Sequence, residues 1–163
     1  MKKIIVSSLL FFFCFVAGAQ AQSQCIEYHL RKCKNQVETN YSVSEASRSA
    51  LLLKGQTSEF RFLIYQGKDY RITICGDEIL GPNLQFQIVD WETNEVLYDN
   101  KDYNYVREFE FTVLLSRTIK IVVTVPSDDA NETNASIGFQ AKSTAMGCVG
   151  VLIEEMITPK KGF

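Results

Sequence analysis

The chain has one histidine, and neither a close Cys-x-x-Cys pair nor a Gly-x-Ser-x-Gly turn accompanies it. Each absence closes off a class of chemistry. A zinc hydrolase draws on several histidines, a four-cysteine zinc site on closely spaced thiolates, and a serine hydrolase on a nucleophile within reach of a base. An excess of positive charge is missing too, since 17 Lys and Arg stand against 19 Asp and Glu. Such a chain has no electrostatic footprint for a phosphate backbone, and nucleic-acid binding is not expected. Beyond residue 16 no stretch is apolar enough to span a bilayer. Unbroken apolar runs separated by helices, the mark of a parallel sheet, are also lacking, as are internal repeats and low-complexity segments.

What is present begins with an export signal. Met1-Lys2-Lys3 is a positive start, Ile4 to Val16 an apolar run, and Ala19-Gln20-Ala21 the small-x-small form of a cleavage site. Residues 1–21 are therefore expected to be a cleaved signal peptide, because the apolar run is shorter than the roughly 20 residues of a bilayer crossing. Taking 21 residues from 163 leaves 142, and losing Lys2 and Lys3 leaves 15 basic against 19 acidic side chains, a net charge of −4. That length suits one domain with a real core. The expected location is secreted or periplasmic, not membrane-spanning.

Cys14 leaves with the signal; Cys25, Cys33, Cys75 and Cys148 remain. An even set in an exported chain reads as two disulfides, with three possible pairings. Ile26, Leu30, Cys33 and Val37 recur at helical spacing, predicting an amphipathic helix over Gln24 to about Asn40. A continuous helix holds Cys25 and Cys33 about 12 Å apart, too far to bridge, and sends both to Cys75 and Cys148. Against this, Cys75 and Cys148 both sit on the outward side of their strands, where they are placed to pair with each other. The helix-to-sheet arrangement is preferred, because an apolar helix stripe must cover something.

Residues 22–50 read as this helix and a Ser/Asn/Glu-rich connector, 51–157 as the main domain, and 158–163 as a tail. After a first short strand at Leu51-Leu52-Leu53, strands are expected at Glu59 to Tyr65, Asp69 to Cys75, Leu84 to Asp90, Glu95 to Asn100, Arg107 to Leu114, Thr118 to Val125, Ser136 to Lys142 and Cys148 to Ile157. Phe60, Phe62 and Ile64, then Tyr70, Ile72 and Ile74, alternate with polar residues, as do Ile119, Ile121 and Val123. Antiparallel strands buried on one face read this way. The two runs on either side of Gln66-Gly67-Lys68 have the form of a β-hairpin. The fold class expected is all-β, an antiparallel β-sandwich or jelly roll with one short N-terminal helix packed on it.

Glu59-Phe60-Arg61-Phe62, Gly67-Lys68-Asp69-Tyr70-Arg71-Ile72, Phe86-Gln87-Ile88-Val89-Asp90 and Leu97-Tyr98-Asp99-Asn100 resemble the small accessory β-sandwiches of bacterial secreted proteins, of the pre-peptidase C-terminal domain type. The chain also resembles small exported bacterial proteins that carry such a sandwich alone, with Gly147-Cys148-Val149-Gly150-Val151 near the end. The resemblance spans Leu51 to Ile157 and implies a non-catalytic module.

His29 reads as a solvated surface histidine, with no nucleophile or orienting acid beside it. Asp77-Glu78, Asp99 with Asp102, and Asp128-Asp129 with Glu132 are the carboxylates available to a glycosidase-type pair. The loop Pro126 to Asn134 offers hard oxygen ligands for calcium but lacks the ordered EF-hand spacing and its glycine, so it reads as a solvated acidic loop. No metal site or cofactor is expected. The best candidate recognition surface is Trp91 with Tyr98, Asp99, Asn100, Asp102, Tyr103 and Tyr105, where aromatic faces beside amides and acids suit a sugar ring. The function expected is a non-enzymatic binding or assembly module of the cell envelope, its partner an envelope protein or glycan. The alternatives are a small carboxylate-dependent hydrolase and a purely structural component of an envelope complex.

Overall fold

The computed structural model describes residues 24–34, 40–127 and 145–160. Within them nine strands build two antiparallel sheets that face each other: β1 (Ser42–Val43), β2 (Arg48–Leu53), β3 (Thr57–Ile64), β4 (Lys68–Gly76), β5 (Gln85–Asp90), β6 (Val96–Asp99), β7 (Glu108–Thr112), β8 (Arg117–Thr124) and β9 (Met146–Ile157). One sheet runs β9-β4-β7, with β1 and β2 both paired to the far side of β9. The other runs β3-β8-β5-β6. The all-β sandwich is thus the observed fold. The expected strand Ser136 to Lys142 lies outside the described residues, as do Asp128 to Asn134 of the acidic loop.

The alternating residues make the core. Tyr70, Ile72 and Ile74 of β4, Phe86 and Ile88 of β5, Ile119, Ile121 and Val123 of β8, and Val151 and Ile153 of β9 are all buried between the sheets. Each such side chain contributes about 1.5–3 kcal/mol when withdrawn from water.

The expected hairpin across Gly67 is not one. β3 pairs with β8, and β4 pairs with β7 and β9, so the chain crosses from one sheet to the other at this turn. The physical reason lies in the alternation itself. Two strands with one apolar face each can lie side by side in a sheet or face each other across the core, and the pattern is the same for both. Phe62 and Tyr70 accordingly meet edge to face through the interior, with ring centroids 6.1 Å apart. The crossing is tied down by Tyr65, whose backbone N–H donates to the Tyr70 hydroxyl at 3.2 Å. Among the described strands, β5 and β6 are the consecutive pair that form a hairpin.

The N-terminal segment also departs from expectation. Instead of a helix to Asn40, it makes turns from Gln24, a five-residue π-helical turn at His29–Cys33, and extended backbone at Lys34. Glu27 breaks any continuous helix, with a φ of 55°. The buried side is not the Ile26 and Leu30 stripe, both of which are exposed. It is Cys25, Tyr28 and Cys33, packed with Cys75, Cys148 and Leu152 on the outer surface of β4 and β9. Disulfides join Cys25 to Cys148 and Cys33 to Cys75, so the segment is fastened to the sheet twice.

Close approach of this turn to the sheet depends on Gly150. A Cβ at that position would lie 2.8 Å from Cys33 Sγ, 2.9 Å from His29 Cα and 3.0 Å from Cys75 Sγ. Two of those neighbours belong to a disulfide and the third is backbone, so none can rotate away. Gly150→Ala is expected to destabilise the protein by about 3 kcal/mol, as overpacking of a fixed contact does, read as a fall in the urea midpoint at unchanged slope. Unchanged stability would mean that the helical turn does not sit down on β9.

Candidate functional site

Two polar clasps hold the N-terminal turn. The Asp77 carboxylate accepts from the Cys148 backbone N–H at 2.7 Å and from the Tyr28 hydroxyl. Burial, helped by that carboxylate, pushes the Tyr28 phenol up to about 12, so it stays a donor. The second clasp is His29, whose backbone N–H donates to Ser49 Oγ at 2.9 Å while Nδ1 lies 2.7 Å from the same oxygen. His29 is therefore half-buried and engaged, not the solvated histidine expected. Burial lowers its pKa, and the neutral ring takes its proton on Nε2 when the Ser49 hydroxyl donates to Nδ1. Because Ser49 Oγ serves the helical turn's own N–H, the pair works as a fastening. A polar pocket of about 730 Å³ beside this region is lined by Tyr28, Lys32, Asp77, Glu78 and Arg107. The two carboxylates there are sequence neighbours, and one is occupied by Tyr28 and Cys148. They do not form the opposed pair of a glycosidase.

The seven residues of the expected recognition surface do not form one patch: six lie at the end of β6 and the turn after it, and Trp91 lies apart. Trp91 lies in the turn after β5, which Asp90 organises by accepting from the Glu92 and Thr93 N–H groups at 3.0 and 2.9 Å. Tyr103 ends the 3-10 turn Asn100–Tyr103 at the other end of the β5–β6 hairpin. Gln87 faces Asp99 across that hairpin, so Trp91 lies about 13 Å further along the strand. The Arg61 guanidinium sits 5.0 Å from the Trp91 ring centroid and occupies one of its faces.

Three of the seven are occupied structurally. Asn100 is fully buried, donating from Nδ2 to the Leu84 and Val106 carbonyls at 2.9 and 3.1 Å and accepting the Phe86 N–H at 2.9 Å. Tyr98 is buried, stacked on Phe109 with centroids 3.8 Å apart. Asp99 accepts from the Gln85 and Gln87 side-chain amides and from Lys101 N–H. Asp102 is exposed, and Tyr105 is half-buried with a φ of 55°. Trp91 and exposed Tyr103 keep ring surface that a ligand can touch, and Tyr103 has one face stacked on Tyr98.

A different surface emerges from the topology. Among the described residues β6 ends one sheet and β7 ends the other, and contact between Tyr98 and Phe109 puts the two on the same side of the sandwich. Between them opens an apolar cleft of about 300 Å³ whose lining includes Ile64, Ile88, Tyr98, Phe109, Phe111 and Ile119. The Tyr98–Phe109 stack spans the cleft from one sheet edge to the other. Leu97, Leu114 and Leu115 also line it, 42%, 82% and 64% exposed. Register shifts between Ile88 and Val89, leaving Leu97 as the extra residue of β6 opposite that step. The available sequence signal was Leu114-Leu115, an apolar pair that breaks the alternation of β7.

No protein-family model matches the chain, and no curated protein matches it. Among solved structures, the crystal structure of PliG from Aeromonas hydrophila, a periplasmic lysozyme inhibitor of g-type lysozyme, is similar at 12% identity and a TM-score of 0.45, covering 75% of this chain and 93% of that one. The likeness to the pre-peptidase C-terminal type goes no further than a small β-domain. Among the described residues no helix is long and apolar enough to cross a membrane.

Proposed function

We propose that this chain is a non-catalytic binding module of an oxidising compartment outside the cytoplasm, and that its partner is another protein seated at the open β6–β7 edge. The observation that carries the reading is the apolar cleft between two sheet edges, with three leucines at its lining exposed to water. Large apolar side chains clustered at a groove mark a site of association. Two disulfides suit an exported chain. A glycan at Trp91 and Tyr103 is the weaker assignment, since the two rings lie at opposite ends of a hairpin and Arg61 covers one of them.

The test is an affinity pull-down from an envelope fraction, analysed by mass spectrometry. It compares the wild type with Leu114→Asp/Leu115→Asp and with Trp91→Ala/Tyr103→Ala. Proteins retained by the wild type are expected to fall at least tenfold with the leucine variant and to persist with the aromatic one. The reverse pattern would move the site to Trp91 and Tyr103, and full retention by both would remove the proposal. Both leucines are largely exposed, so the substitutions leave the core intact.

A further inference from the structure

Strand β7 has features that define the chemistry of its partner. Among the described residues it is the last strand of its sheet, and its pairing with β4 fixes which backbone groups face inward: Ile74 N–H donates to Arg107 O and Val113 N–H to Lys68 O. By the alternation of an antiparallel ladder, Phe109 and Phe111 complete that pairing, and Glu110 and Thr112 direct their N–H and C=O groups out of the sheet. The side chains alternate as well. Phe109 and Phe111 turn toward the cleft and are only half-buried there, while Glu108 and Glu110 are exposed on the outer face.

That outer face is acidic. Glu110 and Glu154 flank Arg71 at 2.6 and 3.4 Å, Thr73 donates to Glu108, and Asp69 lies on the same side of β4. Three carboxylates, Glu108, Glu110 and Glu154, thus act on one guanidinium, which lies 4.1 Å from the Tyr41 ring.

Resting on the reading of this edge as a protein-binding site, we infer that β7 receives an extended segment of a partner protein as an added strand, with apolar residues entering the cleft and alternate basic residues lying over Glu108 and Glu110. Strand addition supplies main-chain hydrogen bonds for affinity, and side-chain periodicity supplies selectivity. The period of two matches an apolar cleft on one face and acids on the other. A second copy of this chain fits less well: antiparallel self-pairing centred on Phe109 or Glu110 sets Glu108 against Glu110 or Glu110 against its own copy, and like charges directly opposite destabilise a strand pair. A basic segment removes that repulsion.

A seven-residue capped peptide of alternating lysine and valine is the probe, titrated into 15N-labelled protein, with an aspartate-valine peptide and a lysine-block, valine-block peptide as controls. The alternating basic peptide is expected to shift amides of residues 107–115 and to bind at least fivefold more tightly than either control. Glu108→Gln/Glu110→Gln is expected to weaken it at least fivefold, with the free protein's spectrum preserved away from β7. Equal binding of the block peptide, shifts centred on another edge, or no binding would overturn the inference. The pull-down separates the two ideas. Partners lost with Leu114→Asp/Leu115→Asp but kept with the glutamine pair would leave the protein-binding reading standing and remove strand addition, whereas partners kept by both would remove both.

Discussion

Replacing Cys25 and Cys148 together by serine is expected to lower stability by about 4–5 kcal/mol, the entropy that a crosslink of this span withholds from the unfolded chain. The two cysteines are 123 residues apart, and the loop stays long even when the Cys33–Cys75 bond remains, because the shortest covalent path still runs from Cys75 to Cys148. Cys33→Ser/Cys75→Ser, closing 42 residues, is expected to cost about 4 kcal/mol. Losses of that size are a large share of the 5–15 kcal/mol typical of a whole domain. Urea unfolding of the two double variants, followed by circular dichroism, measures both. A loss below about 1 kcal/mol for the longer bond would show that the N-terminal segment is an ornament on a sandwich that needs no tether.

Asn100→Ala is expected to cost about 3–5 kcal/mol and to loosen the turn that follows β6. One amide satisfies three backbone groups from three places in the chain, the Phe86 N–H and the Leu84 and Val106 carbonyls. Truncation strands all three in a site closed to water, at about 1–3 kcal/mol for each unmet group. Aspartate is a diagnostic second variant. It keeps the acceptor for Phe86 but turns the donor into a second oxygen facing two carbonyls, so it is expected to be no better than alanine. Differential scanning calorimetry gives the stabilities, and amide exchange at Phe86 reports the local opening. Protection of Phe86 unchanged in Asn100→Ala would contradict this account.

The strands were legible because alternation is enforced residue by residue. Phe86 and Ile88, or Ile119, Ile121 and Val123, cannot face water, and their neighbours cannot face the core. Which strand lies beside which was not legible, because the crossing at Gly67 and a hairpin at Gly67 place the same side chains on the same apolar layer. The N-terminal turn was misread for a related reason. Helical spacing singled out Ile26 and Leu30, but two covalent bonds at Cys25 and Cys33 determine which side faces the sheet, and a covalent constraint outranks the burial of one or two side chains. Asn100 stands in a run of Asp, Asn, Lys and Tyr in which every member looks like surface. Its burial follows from where the hairpin ends against Leu84 and Val106, which no local pattern encodes. The cleft was invisible for the same reason, since an edge strand is defined only by the neighbour it lacks.

The two disulfides are nested in sequence, 25 with 148 enclosing 33 with 75. A chain that enters an oxidising compartment N-terminus first presents Cys25 and Cys33 long before either of their partners. Oxidation in order of arrival would join Cys25 to Cys33 and then Cys75 to Cys148, a pairing in which neither bond is native. Cys25 must instead wait, or be rescued by thiol exchange, until Cys148 has been delivered. Formation of the longer disulfide is thereby coupled to the arrival of β9, and a chain that stops before that strand leaves Cys25 without its partner.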